Sequence, residues 1–174
     1  MAYISQLPYD NASAEEKARI DKLMEGNGRL TNMKLTLLHS EPAFHALMEW
    51  YTLERELEKF LPERTINFFS YAISNENDCL ICNTFFTQIL VDAGIDFATF
   101  AFSEEEKLLI DYGRAIVQDA NRVPPEIFDD LKKHWNEEQI VLITAFATIM
   151  IATNLINKTL QVELDERLIP YMKQ

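Results

Sequence analysis

Both cysteines of the chain lie three positions apart, at Cys79 and Cys82 in the stretch Asn77–Phe86. If the stretch is helical, residues at this spacing share one face, with Cβ atoms about 5–6 Å apart. That is near the separation a disulfide accepts, although a real bond needs local adjustment. Asp78 is expected to act as N-cap, which would place both cysteines in the first turn, where N–H groups and the helix dipole favour a thiolate. The pattern indicates a dithiol that cycles between reduced and oxidised forms, and two ordinary buried cysteines are the alternative.

Activating groups for a thiol are scarce nearby in the sequence. The polar neighbours in the preceding segment are Glu63, Asn67, Tyr71, Glu76 and Asp78. Glu63 is expected at a helix N-terminus, and Tyr71 is expected to be half-buried with its hydroxyl at the surface. Glu76 and Asp78 would raise the pKa of a neighbouring thiol by repulsion. No basic residue follows Arg64 within this local segment, so the segment itself offers only the helix N-terminus to stabilise a thiolate.

The aromatic and imidazole side chains leave two further questions open. Aromatic residues flank the cysteines in sequence and predict either ordinary core or a dry pocket for apolar or aryl-alkyl substrates: Phe68, Phe69, Tyr71, Phe85 and Phe86. The histidines are His39, His45 and His134. They lack metal-ligand spacing, so a zinc site with both cysteines would need two of them to converge by folding. We therefore expect no metal and no other cofactor.

Composition bounds the class of protein. With 174 residues, 48% hydrophobic and 25% charged, the chain is typical of a soluble globular protein, and we expect a single domain over residues 1–174. Four glycines and six prolines are few, which favours long helices. A net charge of −12 argues against nucleic acid and anionic membranes as partners. The first residues do not resemble a signal peptide, and a cytoplasmic location is expected.

Capping and turn residues predict the order of helices. Residues 1–12 are interpreted as an N-terminal arm. Capping boxes at Ser13–Glu16 and Ser103–Glu106 open two of the helices, and Gly94 closes the helix that carries the cysteines. Proline in the first turn marks further helix starts. The predicted helices begin near residues 14, 31, 41, 62, 79, 104, 125 and 137.

Residues 140–157 carry no charge. An uncharged stretch of this length is borderline for a membrane span. Threonines and Asn154 interrupt it, however, and its N-terminal flank is acidic, at Glu137 and Glu138. We interpret it instead as a central core helix or an oligomer contact, because a helix apolar on every side must be covered on every side.

Several segments together resemble the carboxymuconolactone decarboxylase and alkylhydroperoxidase D-like (AhpD-like) superfamily. They span most of the chain: Gly28–Met33, His39–Pro42, Leu61–Arg64, Ser70–Ser74, Cys79–Cys82 and residues 102–141. The resemblance implies an all-α, AhpD-like fold that assembles into trimers, hexamers or related homo-oligomers. In its peroxidase members the second cysteine attacks a hydroperoxide and the first resolves it, which by position are Cys82 and Cys79. A lipoyl or thioredoxin-like dithiol protein then reduces the disulfide.

The chain departs from the peroxidase pattern at three positions. Where that pattern has a glutamate and histidines, this chain has Asn67, Ile81 and Phe86. The missing groups form a proton relay, and general acid–base groups contribute roughly 10²–10⁴-fold. The prediction is thus a CxxC-dependent thiol–disulfide oxidoreductase with weak or substrate-restricted hydroperoxidase activity. Its rate is expected to rise with pH as the Cys82 thiol ionises, near the ordinary thiol pKa of about 8.5. The alternatives are a non-enzymatic or redox-sensing oligomer, and a decarboxylase-like enzyme that works without the thiols.

Overall fold

The structure, a computed structural model, describes residues 2–96 and 99–172. Within these ranges every regular element is a helix and no strand occurs, which confirms the predicted all-α class. Short 3₁₀ helices cover Tyr9–Asn11 and Glu166–Tyr171. The α-helices of the described residues are α1 (Ala14–Met24), α2 (Asn32–Leu37), α3 (Glu41–Leu57), α4 (Glu63–Glu76), α5 (Leu80–Asp92), α6 (Glu104–Asp119), α7 (Pro125–His134) and α8 (Glu137–Thr159).

Most helix ends lie where capping residues predict them. The capping box at Ser103 and Glu106 is complete. At Ser13 the hydroxyl accepts the Glu16 N–H at 3.2 Å, and the reciprocal contact of a full box is not formed. Gly94 follows α5 with φ of +78°, the left-handed conformation that glycine adopts without strain. The side-chain hydrogen bonds of the caps therefore define the helix starts, as the sequence predicts.

Helix α4 is the centre of the fold and packs against α5, α6 and α8. Nine of its fourteen residues are buried. Helix α6 approaches α4 closely at Gly113, where an added Cβ would lie 2.8 Å from the Ile73 side chain and 2.9 Å from the Phe69 ring. The close approach leaves no room for a side chain at this position. The strongly apolar pattern of α4 therefore places it in the interior, just before the two cysteines.

Helix α8 covers α3 and α4 with one face only. Phe146 and Met150 are buried on that face, whereas Val141 is 67% and Leu155 is 50% exposed on the other. By length and composition α8 is also long and apolar enough to cross a membrane, a test that the core helix of a folded protein passes as well. The predicted core helix thus has a second apolar face that the single chain leaves open.

The N-terminal segment is docked on the protein. The Tyr3 N–H donates to the Leu160 carbonyl at 3.0 Å, and the Leu7 N–H donates to the Leu35 carbonyl at 3.2 Å. Leu7 also packs on the apolar cluster around Ile20. The described part of the predicted arm therefore bridges the two ends of the chain, while Met1 lies outside the described residues.

Candidate active site

The two cysteines lie at the junction between α4 and α5. Cys79 itself is the N-cap of α5, and its Sγ accepts the Cys82 N–H at 3.4 Å. The prediction that Asp78 caps this helix is wrong. Asp78 has φ of +52°, and its N–H bonds to Asn75 while that of Cys79 bonds to Ser74. This is a Schellman ending of α4, which uses Asp78 as its left-handed residue and leaves the N-cap position to Cys79.

The two thiols are in direct contact. Their Sγ atoms lie 2.7 Å apart, and both are free cysteines. The side chain of Cys79 is 1% exposed and that of Cys82 is 6% exposed. Asn157 of α8 donates its Nδ2 to the Sγ of Cys82 at 3.3 Å, while its own Oδ1 is buried without a partner. The pair is thus a compact dithiol with an amide donor on one side.

The shared proton of the pair belongs on Cys82. The hydrogen bond from Cys82 lowers the pKa of Cys79, and backbone N–H groups and the positive charge of Lys158 lower it further against the opposing effect of burial. The hydrogen bond to Cys79 and burial raise the pKa of Cys82 well above its usual value. This order differs from the expectation of an ordinary thiol at Cys82. When the pair carries a single proton, Cys82 therefore keeps it and donates a hydrogen bond to the Cys79 thiolate.

Cys82 lines a cavity of about 380 Å³. Cys79 is not among the described residues that line it, so only one sulfur of the pair faces this space. Apolar and aromatic side chains of α3 and α5 form much of the wall, including Met48, Trp50, Phe85, Phe86 and Ile89. Ligand pockets generally have volumes of about 300–1,000 Å³, so this cavity suits a small ligand. The geometry therefore places one thiol against a small, largely apolar compartment.

A buried lysine and a tyrosine belong to the same wall. Lys34 of α2 is 3% exposed and donates its Nζ to Tyr51 Oη at 2.9 Å, to the Arg29 carbonyl at 2.7 Å and to the Asn27 carbonyl. Burial lowers the pKa of Lys34 to about 8. Burial, followed by the nearby Glu54 carboxylate, raises the pKa of Tyr51 to about 12. Both groups therefore carry their protons at neutral pH.

The structure separates the aromatic residues that are close in sequence to the cysteines. Phe85 and Phe86 line the cavity. Phe69 is in the main core, whereas Phe68 and Tyr71 border a second, smaller pocket on another face of α4. Asn67 is buried in α4 and is not among the cavity-lining residues described. Of the three relay positions, those of Ile81 and Phe86 thus face the cavity, and that of Asn67 does not.

Sequence reasoning missed four groups of the site, and all come from distant segments. They are Lys34, Tyr51, Asn157 and Lys158. The adjacent aromatics Trp50 and Tyr51 on an amphipathic helix were an available signal for a ligand wall. The asparagine and the two lysines carried none, because their relation to the cysteines arises only when α2 and α8 pack beside α5.

The histidines lie elsewhere. His39 Nε2 is 2.7 Å from the Ser5 carbonyl oxygen, and His134 Nδ1 is 3.4 Å from a Glu105 carboxylate oxygen. No histidine is among the described residues that line the cavity. Over residues 2–96 and 99–172, no group of three or more His, Cys, Asp and Glu side chains is arranged to hold a metal ion.

The architecture and the thiol pair define the class: the chain has the AhpD-like helical fold, with a Cys-x-x-Cys pair at the start of α5. It resembles the apo debrominase Bmp8 with a TM-score of 0.75 and 16% identity, over 97% of this chain and 95% of that one. A cysteine-to-alanine variant of Bmp8 in complex with 2,3,4-tribromopyrrole gives the same score and identity, over 97% and 94%.

A protein of unknown function from Agrobacterium tumefaciens, provisionally described as the antioxidant defence protein AhpD, has the same fold. Its TM-score is 0.63 at 21% identity, over 73% of this chain and 93% of that one. No protein-family model matches the chain, and no curated protein matches it in sequence.

Proposed function

We propose that the protein is a thiol–disulfide oxidoreductase that reduces a small apolar electrophile, foremost a hydroperoxide, with Cys82 as attacking thiol and Cys79 as resolving thiol. The observation that carries this proposal is the asymmetry of the pair. Cys82 lines the cavity, and Cys79 lies 2.7 Å behind it, outside the described lining. A substrate in the cavity meets one sulfur, and the second is already placed to close the disulfide.

The pair supplies its own base. The Cys79 thiolate takes the proton of Cys82 as the Cys82 sulfur attacks the distal peroxide oxygen. The S–O bond forms, the O–O bond breaks, and the alkoxide leaves and is protonated to the alcohol. The Cys79 thiol then attacks the sulfenic acid on Cys82, which forms the disulfide and releases water. Two electrons have passed from the dithiol to the peroxide.

The rate is expected to be modest. Phe86 offers no proton acceptor in the cavity, and the pKa of Cys82 is raised well above its usual value. Since the thiolate is the attacking form, proton transfer to Cys79 must accompany attack. Positioned general bases contribute roughly 10²–10⁴-fold, and the pair replaces only part of such a relay. Weak or substrate-restricted hydroperoxide reduction follows.

Turnover requires an external dithiol, because the disulfide must be reduced after each cycle. The chemistry fits a lipoyl or thioredoxin-like protein in a reducing compartment, for which the cytoplasm is the proposed location. The exposed apolar face of α8, with Val141 and Leu155, supports assembly of the chain into a homo-oligomer such as a trimer or hexamer.

Reductive dehalogenation of a halogenated aromatic is the second candidate. The similarity to the debrominase extends over 97% of this chain, and Trp50, Phe85 and Phe86 give the cavity an aromatic wall. The electron balance is the same, since a dithiol supplies two electrons, bromide leaves, and a hydrogen replaces it on the ring. The protein again ends the reaction with a Cys79–Cys82 disulfide.

The test measures turnover and intact mass together. The reduced protein is mixed with cumene hydroperoxide or 2,3,4-tribromopyrrole, with and without a dithiol reductant, and compared with Cys82→Ser and Cys79→Ser variants. We expect wild type to lose two hydrogens on oxidation and to turn over with the reductant. Cys82→Ser should be inactive, and Cys79→Ser should stop after one turnover with a sulfenic acid that dimedone traps.

Each other outcome has a distinct meaning. A reversible disulfide without turnover on either substrate would support the redox-sensing alternative. Two thiols that remain fully alkylatable after peroxide treatment would reject thiol chemistry at this site altogether. Turnover of the bromopyrrole alone would favour the second candidate over the first.

A further inference from the structure

We propose that Tyr51 is the general acid of this site, donating its proton to the leaving group, and that Lys34 is its positioning and reprotonating partner. The inference deepens the function proposed for Cys82 and rests on it. It starts from a gap in that chemistry. The Cys82 proton passes to Cys79 and leaves later as part of water, so the departing alkoxide needs a proton from another source.

Tyr51 and Cys82 face the same cavity from different helices. Tyr51 belongs to α3 and Cys82 to α5, and both line the space of about 380 Å³. The Tyr51 hydroxyl is fixed from behind, since a Cβ on Gly28 would lie only 2.7 Å from its oxygen. Gly28 has φ of +63°, so glycine provides both the turn and the room for this hydroxyl. A small loop thus holds the hydroxyl at the wall.

The hydrogen bonds leave the Tyr51 proton free. An ammonium group donates and cannot accept, so the Tyr51 oxygen is the acceptor in its 2.9 Å contact with Lys34. The other two contacts of Lys34 are the carbonyls of Asn27 and Arg29, which complete its three donors. Among the described residues the Tyr51 O–H itself has no acceptor. Its proton is available to a molecule in the cavity.

Three other polar side chains of the wall are already engaged. The Asp165 carboxylate accepts the Asn32 N–H at 3.0 Å, and the Asp92 carboxylate accepts the Tyr171 hydroxyl at 2.9 Å. The Thr153 hydroxyl donates to its own helix at Ile149. Among the described lining residues Tyr51 is the phenol, the most acidic hydroxyl of this wall, and the surrounding protein does not use its proton.

The acid strengths fit the transfer. With a pKa of about 12, Tyr51 is protonated at neutral pH, and an alkoxide is a stronger base than its phenolate. The phenolate then takes a proton from Lys34, whose pKa is about 8, and Lys34 recovers one from solvent. Asp165 raises and Arg167 lowers the Lys34 pKa, and Glu54 acts on Tyr51. The remaining ionisable groups of the wall are Arg29, Cys82 and Asp92.

A general acid at Tyr51 affects the rate only when the leaving group must be protonated. The alkoxide released from an alkyl hydroperoxide needs a proton, whereas the carboxylate released from a peracid is stable without one. Alkylation of Cys82 by iodoacetamide releases iodide and needs none either. Loss of a general acid should therefore slow only the first of these three reactions.

The experiment uses the full-length Tyr51→Phe protein, which keeps the ring and removes the hydroxyl. Oxidation of Cys82 is measured with cumene hydroperoxide and with peracetic acid, and its alkylation is measured with iodoacetamide. We expect a loss of roughly 10²–10⁴-fold with cumene hydroperoxide, and little change with the other two reagents. Tyr112→Phe is the matched control, since it also removes a tyrosine hydroxyl, one that contacts Thr144 outside the cavity.

The part played by Lys34 is measured from the pH profile. The wild-type rate with cumene hydroperoxide should fall above pH 8, as Lys34 loses its proton. The same fall should be absent in Tyr51→Phe, whose rate no longer depends on that proton. A wild-type profile without this descending limb would overturn the role of Lys34.

The remaining outcomes separate the role of Tyr51 from the proposed thiol chemistry of Cys82. Equal rates of wild type and Tyr51→Phe with cumene hydroperoxide would overturn the role of Tyr51 and leave the proposed function intact. An equal loss with all three reagents would make Tyr51 a structural residue only. A wild type that shows no Cys82-dependent reaction with either oxidant would remove the proposed function, and this role with it.

Discussion

Replacing Asn157 with leucine should uncouple the stability of the protein from the reactivity of its thiol. Asn157 is buried, donates Nδ2 to the sulfurs of Cys82 and Met33 at 3.3 Å each, and leaves its Oδ1 without a partner. Leucine has a similar volume and carries neither donor nor acceptor. The substitution therefore removes one satisfied and one unsatisfied polar group from the same place.

The two consequences have opposite signs. A buried acceptor without a partner costs about 1–3 kcal/mol, and a typical neutral hydrogen bond contributes about 0.5–1.5 kcal/mol. The net expectation for Asn157→Leu is a gain in unfolding free energy of about 1 kcal/mol. The same hydrogen bond lowers the pKa of Cys82. A loss of about 1.4 kcal/mol in thiolate stabilisation corresponds to about one pKa unit, hence tenfold slower reaction at fixed pH.

The assay pairs urea unfolding under reducing conditions with the rate of iodoacetamide alkylation at Cys82 in a Cys79→Ser background. Asn154→Leu is the control, one turn earlier on α8. Asn154 is also buried, but it accepts a hydrogen bond from Ser74 and does not line the cavity. That variant removes the buried Asn154 Nδ2, which has no partner, and leaves Ser74 without its acceptor, so the two effects oppose each other and stability should change by less than about 1 kcal/mol. The alkylation rate should stay unchanged.

Two results would refute this reasoning. A faster alkylation in Asn157→Leu would mean that the amide presents its oxygen to the thiol, so that it stabilises the protonated form. A loss of more than about 1 kcal/mol in stability would mean that the two contacts to sulfur outweigh the buried carbonyl.

Two further predictions concern the surface. Light scattering should give a mass above that of the 20.2 kDa chain. The double variant Val141→Glu, Leu155→Glu should have the mass of the single chain, since both side chains are exposed on the open face of α8. A wild type that is monomeric at all concentrations would contradict the first expectation. Burial raises the pKa of Glu54 to about 7, which is above its value of about 4.3 in the unfolded chain. The folded protein therefore binds more protons between these values, and its stability should fall as pH rises through this range. Glu54→Gln should remove this dependence and raise stability at pH 8 by about 1 kcal/mol, after allowance for solvent screening. Equal pH profiles of unfolding for both proteins would show instead that the Glu54 carboxylate is solvated.

Helix boundaries were predictable where a single side chain decides them. Ser103, Asn136 and Gly94 act within one turn of their own position, so their effects follow from the local sequence. Asp78 shows the limit of this reasoning. Its carboxylate is a good N-cap in isolation, but the short α4–α5 connection requires a left-handed residue there, and Asp78 fulfils that requirement.

The aromatic residues show a second limit. Phe68, Phe69 and Tyr71 are close to the cysteines in sequence, but α4 is buried on nearly all sides and distributes them over different faces. Periodicity identifies a helix as buried without specifying which neighbour each face meets. Of the two alternatives for these five aromatics, a pocket at Cys82 therefore holds for Phe85 and Phe86 only, whereas Phe69 is ordinary core.

The sequence by itself determined the all-helical class, the helix order and the spacing that brings Cys79 and Cys82 together, because capping, apolar periodicity and the three-residue separation are local properties. Only the tertiary structure decided which sulfur faces the cavity and what surrounds it. Lys34, Tyr51, Asn157 and Lys158 lie more than 25 positions from Cys82 in sequence and act on the site through space. The charge of a lysine and the hydrogen bond of an amide depend on distance in the folded chain, and that distance is set by how α2, α3 and α8 pack around α5.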